Sequence, residues 1–125
     1  MIAADTSSWI GYSKGVNSQG VKSLEAALEQ GNLVIPPVVL VEILSGPSIS
    51  REVEAFILMI PCLEISPGYW ERAGRMRRAI LKLGNKARLG DCLIAQSCID
   101  REIALISEDR DFKLFTKFGL KILGV

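Results

Sequence analysis

The chain contains no histidine. That absence removes the commonest general base, the Ser-His and Cys-His nucleophile pairs, and nearly all zinc chemistry. Whatever chemistry the protein carries must run on carboxylates. Cysteine is scarce: Cys62, Cys92 and Cys98 form an odd set without CxxC spacing. They point to neither a disulfide framework nor a zinc site and read as small core residues. Long hydrophobic runs are also missing. The most apolar stretches, residues 33–41 and 56–61, fall well short of the roughly 18 residues needed to span a bilayer. The opening Met-Ile-Ala-Ala-Asp has neither the basic start nor the apolar core of a secretory leader. No membrane segment and a cytoplasmic location are expected.

What is present fits one soluble folding unit. With 125 residues, 49% hydrophobic and 23% charged, the chain is in the size and composition range of a single domain over residues 1–125 and far from that of a disordered chain. Its 14 acidic groups make a hard, oxygen-ligated cation such as Mg²⁺ or Mn²⁺ the natural cofactor. The net charge of +1 hides an uneven distribution. Seven of the 15 basic residues, Arg72, Arg75, Arg77, Arg78, Lys82, Lys86 and Arg88, lie within positions 72–88 with no acid among them, leaving 8 basic against 14 acidic residues elsewhere. Such a stretch is either a solvated helix face or a phosphate-binding ridge.

Periodicity sets out alternating elements. Ile2-Ala3-Ala4 reads as a buried strand ending at Asp5-Thr6-Ser7-Ser8, a polar turn or helix start. Val21, Leu24, Ala27 and Leu28 predict an amphipathic helix over 19–30, closed by Gly31-Asn32. Leu33-Val34-Ile35 reads as a strand, and Pro36-Pro37 starts a helix to about Leu44. Further helices are predicted over 48–60, from Ser66-Pro67 to about Leu83, and over 91–100. Residues 63–65, 103–106 and 121–123 supply further strands. Short apolar strands alternating with helices indicate an α/β layered fold on a largely parallel sheet.

In such sheets ligands bind beyond the C-terminal ends of the strands, where Asp5 and Asp109 fall. Each alone is explained as well by a cap or turn. Glu42 is the only ionisable group in Val38-Val39-Leu40-Val41-Glu42-Ile43-Leu44. A helix apolar on every side is usually buried, and an ionised carboxylate inside it requires an offset, from a cation (a metal, or an Arg or Lys partner) or from a hydrogen-bond network. Asp91 opens its helix, where free N–H groups favour negative charge by about 0.3–1 kcal/mol. Carboxylates gathered closely repel one another, and divalent cations are the simplest way to hold them ionised. Replacing Asp5, Glu42 or Asp91 by its amide should then abolish most of the activity and leave the fold intact or slightly more stable.

Four motifs, Asp5-Thr6-Ser7, Val41-Glu42-Ile43-Leu44-Ser45-Gly46, Gly90-Asp91-Cys92-Leu93-Ile94-Ala95 and Leu105-Ile106-Ser107-Glu108-Asp109-Arg110-Asp111-Phe112, resemble in their order those of PIN-domain nucleases. The resemblance is closest to the VapC-like toxins of bacterial and archaeal toxin–antitoxin pairs, and it covers essentially the whole chain. It implies an α/β, PIN-like fold with a five-stranded, mainly parallel sheet flanked by helices. It assigns Mg²⁺ or Mn²⁺ binding and catalysis to Asp5, Glu42, Asp91 and Asp109, with Asp111 as the less constant ligand. Ser7 and Ser107 take hydrogen-bonding roles, Ser107 standing where the family usually has threonine.

By the same resemblance the chain is an endoribonuclease leaving 5′-phosphate and 3′-hydroxyl ends. Its partners are a second copy of the chain and a small antitoxin whose tail enters the acidic groove. Trp9, Phe56, Ile57, Met59 and Trp70 are the apolar residues available for such interfaces, or for the core. Arg75, Arg78 and Lys82 recur at helical spacing and would contact the RNA backbone, which positions a strand without reading its sequence. Two other classes compete. A PIN-like RNA- or protein-binding module would keep the acids without catalysis. A phospho-acceptor domain of receiver type would need two adjacent early acids and a late-strand lysine, against the solitary Asp5 and only Lys121 here.

Overall fold

The computed structural model describes residues 1–123, so the last two positions of the expected 1–125 domain lie outside the described residues. Three strands, β1 (Ile2–Ala4), β2 (Ala104–Ile106) and β3 (Ile122–Leu123), form a parallel sheet in the order β1-β2-β3. Ala3 lies opposite Leu105, and Leu105 opposite Ile122. Beyond β1 the expected fourth and fifth strands are reduced to single parallel bridges, Ile2 with Leu33 and Ile35 with Cys62. Proline accounts for the shortening. Pro36 and Pro37 follow Ile35 directly and have no N–H to continue the ladder, and Pro61 gives only its carbonyl, which accepts from Ile35 N at 2.9 Å.

Among the described residues six helices connect these segments: α1 (Thr6–Ser13), α2 (Gln19–Gln30), α3 (Pro37–Leu44), α4 (Arg51–Leu58), α5 (Tyr69–Lys82) and α6 (Leu89–Asp100). A 3₁₀ helix, Arg110–Phe118, follows β2. Its buried Phe112 and Phe115 stand three residues apart, a spacing a 3₁₀ turn shares with other conformations, so the sequence pattern does not single it out. Helix α4 starts at Arg51, not at 48, because the Ser50 hydroxyl caps Val53 N. Helix α5 starts two residues after Pro67, where Gly68 takes φ 83°, a conformation that favours glycine.

Helix α6 is the central element, packing against α3, α5, β2 and the 3₁₀ helix. It therefore buries Cys92, Ile94, Ala95, Gln96, Ser97 and Cys98. Cys92 and Cys98 fit the core reading, whereas Cys62 is exposed, since its bridge lies at the sheet's outer end. Arg72 of α5 donates to both oxygens of Asp100 on α6, at 3.0 and 2.7 Å. Tyr69 donates its hydroxyl to the Leu93 carbonyl at 2.6 Å. The turn after β2 is tied to α2 by Glu108, whose carboxylate accepts from Gly20 N at 2.7 Å. A Cβ at Gly20 would sit 2.9 Å from that carboxylate, which explains the glycine.

Glu108 thus caps an N–H in the first turn of α2, where a negative charge also meets the positive helix end. Glu108→Ala should lower stability by about 1 kcal/mol, seen as an earlier thermal or urea transition. An unchanged midpoint would show that solvent caps Gly20 equally well.

Candidate active site

The apolar β1 run ends at Asp5, which is only 2% exposed and is the N-cap of α1. Its Oδ1 accepts from Ser8 N at 2.9 Å, and its Oδ2 from the hydroxyls of Ser107 (2.6 Å) and Ser7 (3.2 Å). Ser107 is fully buried at the end of β2, and its hydroxyl oxygen accepts from Asp109 N at 3.1 Å. Asp109 in turn accepts from Asp111 N at 2.9 Å and caps the 3₁₀ helix. One hydrogen-bonded line thus runs from the end of β1 through Ser107 to both later acids.

Asp5, Glu42, Asp91 and Asp109 line one cleft of about 210 Å³, together with Thr6, Ser7 and Arg88. Asp111 lines an adjoining cavity of about 140 Å³ with Asp91, Lys86 and Arg88. Carboxylate oxygens of Asp91, Asp109 and Asp111 all lie within 4.8 Å of one another. Asp91 is the third residue of α6, which begins two positions earlier than its sequence pattern implied.

Glu42 corrects the reason given for it. Helix α3 buries only Val39 and Ile43, Val41 is 62% exposed, and Glu42 itself is exposed. No burial penalty therefore demands a partner. The Thr6 hydroxyl donates to Glu42 Oε1 at 2.7 Å, and the Glu42 carboxylate lies beside the start of α6, 3.6 Å from where a Cβ on Gly90 would sit, an ordinary contact distance. Thr6 was missed as a site residue, and Arg88 was read only as part of the basic stretch, not as a neighbour of the acids. Thr6 follows Asp5 directly, and Arg88 ends the basic stretch three residues before Asp91, so adjacency was the available signal.

Of the basic residues, Arg75, Arg78 and Lys82 are exposed on α5 and none lines the acidic cleft. Arg78, Lys82 and Arg77 border a separate shallow groove with Leu81 and Leu89. Arg77 also donates to the Ala87 carbonyl at 2.8 Å. The apolar interface set divides: Trp9 and Ile57 are core, while Phe56, Trp70 and Met59 (81%) are exposed.

Electrostatics single out Asp91, whose pKa is pushed up to about 6. Its partial burial is the largest cause, followed by Asp109; Glu42 and Asp111 add smaller upward effects, and Arg88 opposes them. Clustered all-oxygen donors of this kind suit a hard divalent cation in place of zinc or a soft metal, so the residues fit Mg²⁺ or Mn²⁺.

A family model described as the PIN domain matches residues 2–117. The chain belongs to the PIN-domain family. Three solved structures with this fold are a DNA-bound VapBC from Salmonella typhimurium (20% identity, TM-score 0.78, covering 98% of both chains), VapBC-1 from nontypeable Haemophilus influenzae (19%, 0.78, covering 98% of this chain and 97% of that one), and VapBC2 from Rickettsia felis bound to a promoter DNA fragment (20%, 0.74, covering 98% of both). No curated protein matches the sequence. Among the described residues no helix is long and apolar enough to cross a membrane.

The geometry revises one expectation about the amides. Asp5→Asn should cost about 1–3 kcal/mol, because one amide oxygen replaces a carboxylate that serves three donors. Asp91→Asn should do the opposite. A carboxyl whose pKa is raised on folding does not penalise the fold while it is protonated, and it destabilises progressively as pH climbs from 3.8 to about 6. Solvent screening at this partly exposed side chain leaves about 1 kcal/mol of that penalty. Without added metal, Asp91→Asn should melt above the wild type at about pH 7.5 and match it near about pH 4. Mn²⁺ should raise the wild type's melting temperature more than the variant's. A metal-free wild type as stable as the variant at the higher pH would show that burial and charge repulsion together cost the Asp91 carboxylate nothing measurable.

Proposed function

We propose that the chain, as one PIN unit over residues 1–125, is a metal-dependent endoribonuclease and the toxin member of a toxin–antitoxin pair acting in the cytoplasm. The observation that carries this reading is the gathering of Asp5, Glu42, Asp91 and Asp109 on one cleft at the strand ends, with Asp111 beside them. When bound, Mg²⁺ or Mn²⁺ supplies Lewis-acid polarisation of a phosphodiester and activation of a water. Asp91, Asp109 and Asp111 are the acids grouped closely enough to share one ion, with Asp5 and Glu42 completing the set across the cleft.

The chain's own contribution is preorganisation. Asp5 is locked by three donors and Glu42 is held by Thr6, so little rearrangement is needed when substrate arrives. Ser107 orders Asp5 and Asp109 together. The products are 5′-phosphate and 3′-hydroxyl RNA ends. The VapBC neighbours and the motif resemblance support a small cognate antitoxin as partner; the homodimeric toxin rests on the motif resemblance, and exposed Val41, Phe56, Leu58, Met59 and Trp70 supply apolar surface for it.

Purified protein incubated with single-stranded RNA should cleave it with Mn²⁺ or Mg²⁺ and not with EDTA. Glu42→Gln and Asp91→Asn should each lose at least about 100-fold in rate while remaining folded. RNA binding without cleavage would instead identify a non-catalytic module. Near-wild-type cleavage by both variants would remove the acids from the mechanism.

The exposed α5 cations would hold the backbone away from the cleft. In a cleavage-dead background, replacing Arg75, Arg78 and Lys82 together with Ala should flatten the slope of log affinity against log salt by roughly 0.7 per lost single-strand contact. Mn²⁺ affinity should barely move. An unchanged slope would make α5 a solvated face.

A further inference from the structure

Arg88 borders both the acidic cleft and the adjoining cavity, with Asp91 common to the two. A guanidinium beside carboxylates ordinarily forms a bidentate ion pair, and this chain builds one between Arg72 and Asp100. Arg88 forms none: among the described residues the ion pairs are Arg72–Asp100 and Arg101–Glu64. The oxygens of Asp91, Asp109 and Asp111 are thereby left to a cation, and the five donors of Arg88 are left to an anion. Lys86, exposed on the same cavity, adds a second positive charge, and Leu114 and Phe115 form an apolar wall.

A cavity lined by two cations, by two acids of the carboxylate cluster and by apolar side chains suits a nucleotide unit, whose charged phosphate adjoins a less polar sugar. Resting on the nuclease reading, we propose that Arg88 seats the RNA phosphate next to the scissile one. The strand then leaves the acidic cleft through the cavity walled by Leu114 and Phe115. Arg88 is a positioning residue here. Its charge also screens the approaching phosphate from the carboxylates, which a neutral side chain of similar size cannot do.

The test uses the full-length protein, Mn²⁺ and a short single-stranded RNA with one preferred cleavage site. Arg88→Ala should raise KM about tenfold with a smaller change in kcat and flatten the salt slope by roughly 0.7. Arg88→Lys should recover part of the loss, and Lys22→Ala, on the exposed face of α2, should behave as wild type. The rise in melting temperature produced by Mn²⁺ should be retained in Arg88→Ala, separating lost phosphate contact from lost metal. In the wild type, an uncharged methylphosphonate at the phosphate flanking the cleavage site should weaken binding. In Arg88→Ala the same substitution should have almost no further effect. Equal methylphosphonate penalties in both proteins, or an unchanged KM and salt slope with cleavage intact, would overturn the seat and leave the nuclease reading standing. No metal-dependent cleavage of RNA by the wild type would overturn both.

Discussion

The hydrogen bond from buried Ser107 to buried Asp5 is the constraint on which the rest of the site depends. It joins the C-terminal ends of β1 and β2, which also share the bond from Asp5 N to the Ile106 carbonyl at 3.1 Å. A carboxylate 2% exposed is tolerated only when its oxygens are satisfied, and Asp5 meets that requirement with three donors. The same hydroxyl orients Asp109, and Asp109 orients Asp111. Two of the later acids are therefore placed by the turn that satisfies the first. Helix α6 brings Asp91 to this turn by packing on both β2 and the 3₁₀ helix.

This arrangement works against stability in one place. Asp91 is held up to about 6 by burial and by the carboxylates around it, although its place in the first turn of α6 ordinarily favours the charged form. Local conflict of this sort is characteristic of sites kept for chemistry and offset elsewhere in the fold. Here the offsets lie away from the cleft, in the Arg72–Asp100 clasp, the Glu108 cap on α2 and the apolar packing of α6.

Much of the architecture was legible because two short apolar strands end near acids, and several helices begin or end at residues with a chemical signature, such as Ser18 before α2, Pro37 opening α3 and Gly31 closing α2. Asp5 and Asp109 could be placed at strand ends from their sequence positions alone. Glu42 was singled out for a reason that failed. An all-apolar helix leaves no polar stripe to mark its outer face, so the exposure of Val41 and Glu42 is a property of what packs against α3 and not of α3 itself. The two outer strands were overcounted because Leu33-Val34-Ile35 has strand character while Pro36, Pro37 and Pro61 limit the hydrogen bonds it can make. The 3₁₀ helix was missed because aromatics three apart also suit an α-helix or an irregular turn. Arg72 could not be separated from its basic neighbours, since its partner Asp100 lies 28 residues away.

The seven cations of residues 72–88 consequently divide into distinct roles. Arg72 and Arg77 are engaged in holding α5 to its surroundings, Arg88 is exposed at the acids, and Arg75, Arg78, Lys82 and Lys86 are exposed away from the acidic cleft. For the proposed substrate this division resolves an electrostatic difficulty. A cleft lined by carboxylates repels a polyanion, and the repulsion is greatest when no cation occupies it. Exposed cations on α5 attract the strand at long range, within the reach allowed by salt screening, but they do not relieve repulsion at the cleft itself. Only positive charge inside the cleft does that, from Arg88 and from the divalent ion. Occupancy by the ion must then favour RNA, and by thermodynamic reciprocity bound RNA must favour the ion. On the nuclease reading, the charge pattern thus couples two binding events that meet in one cleft.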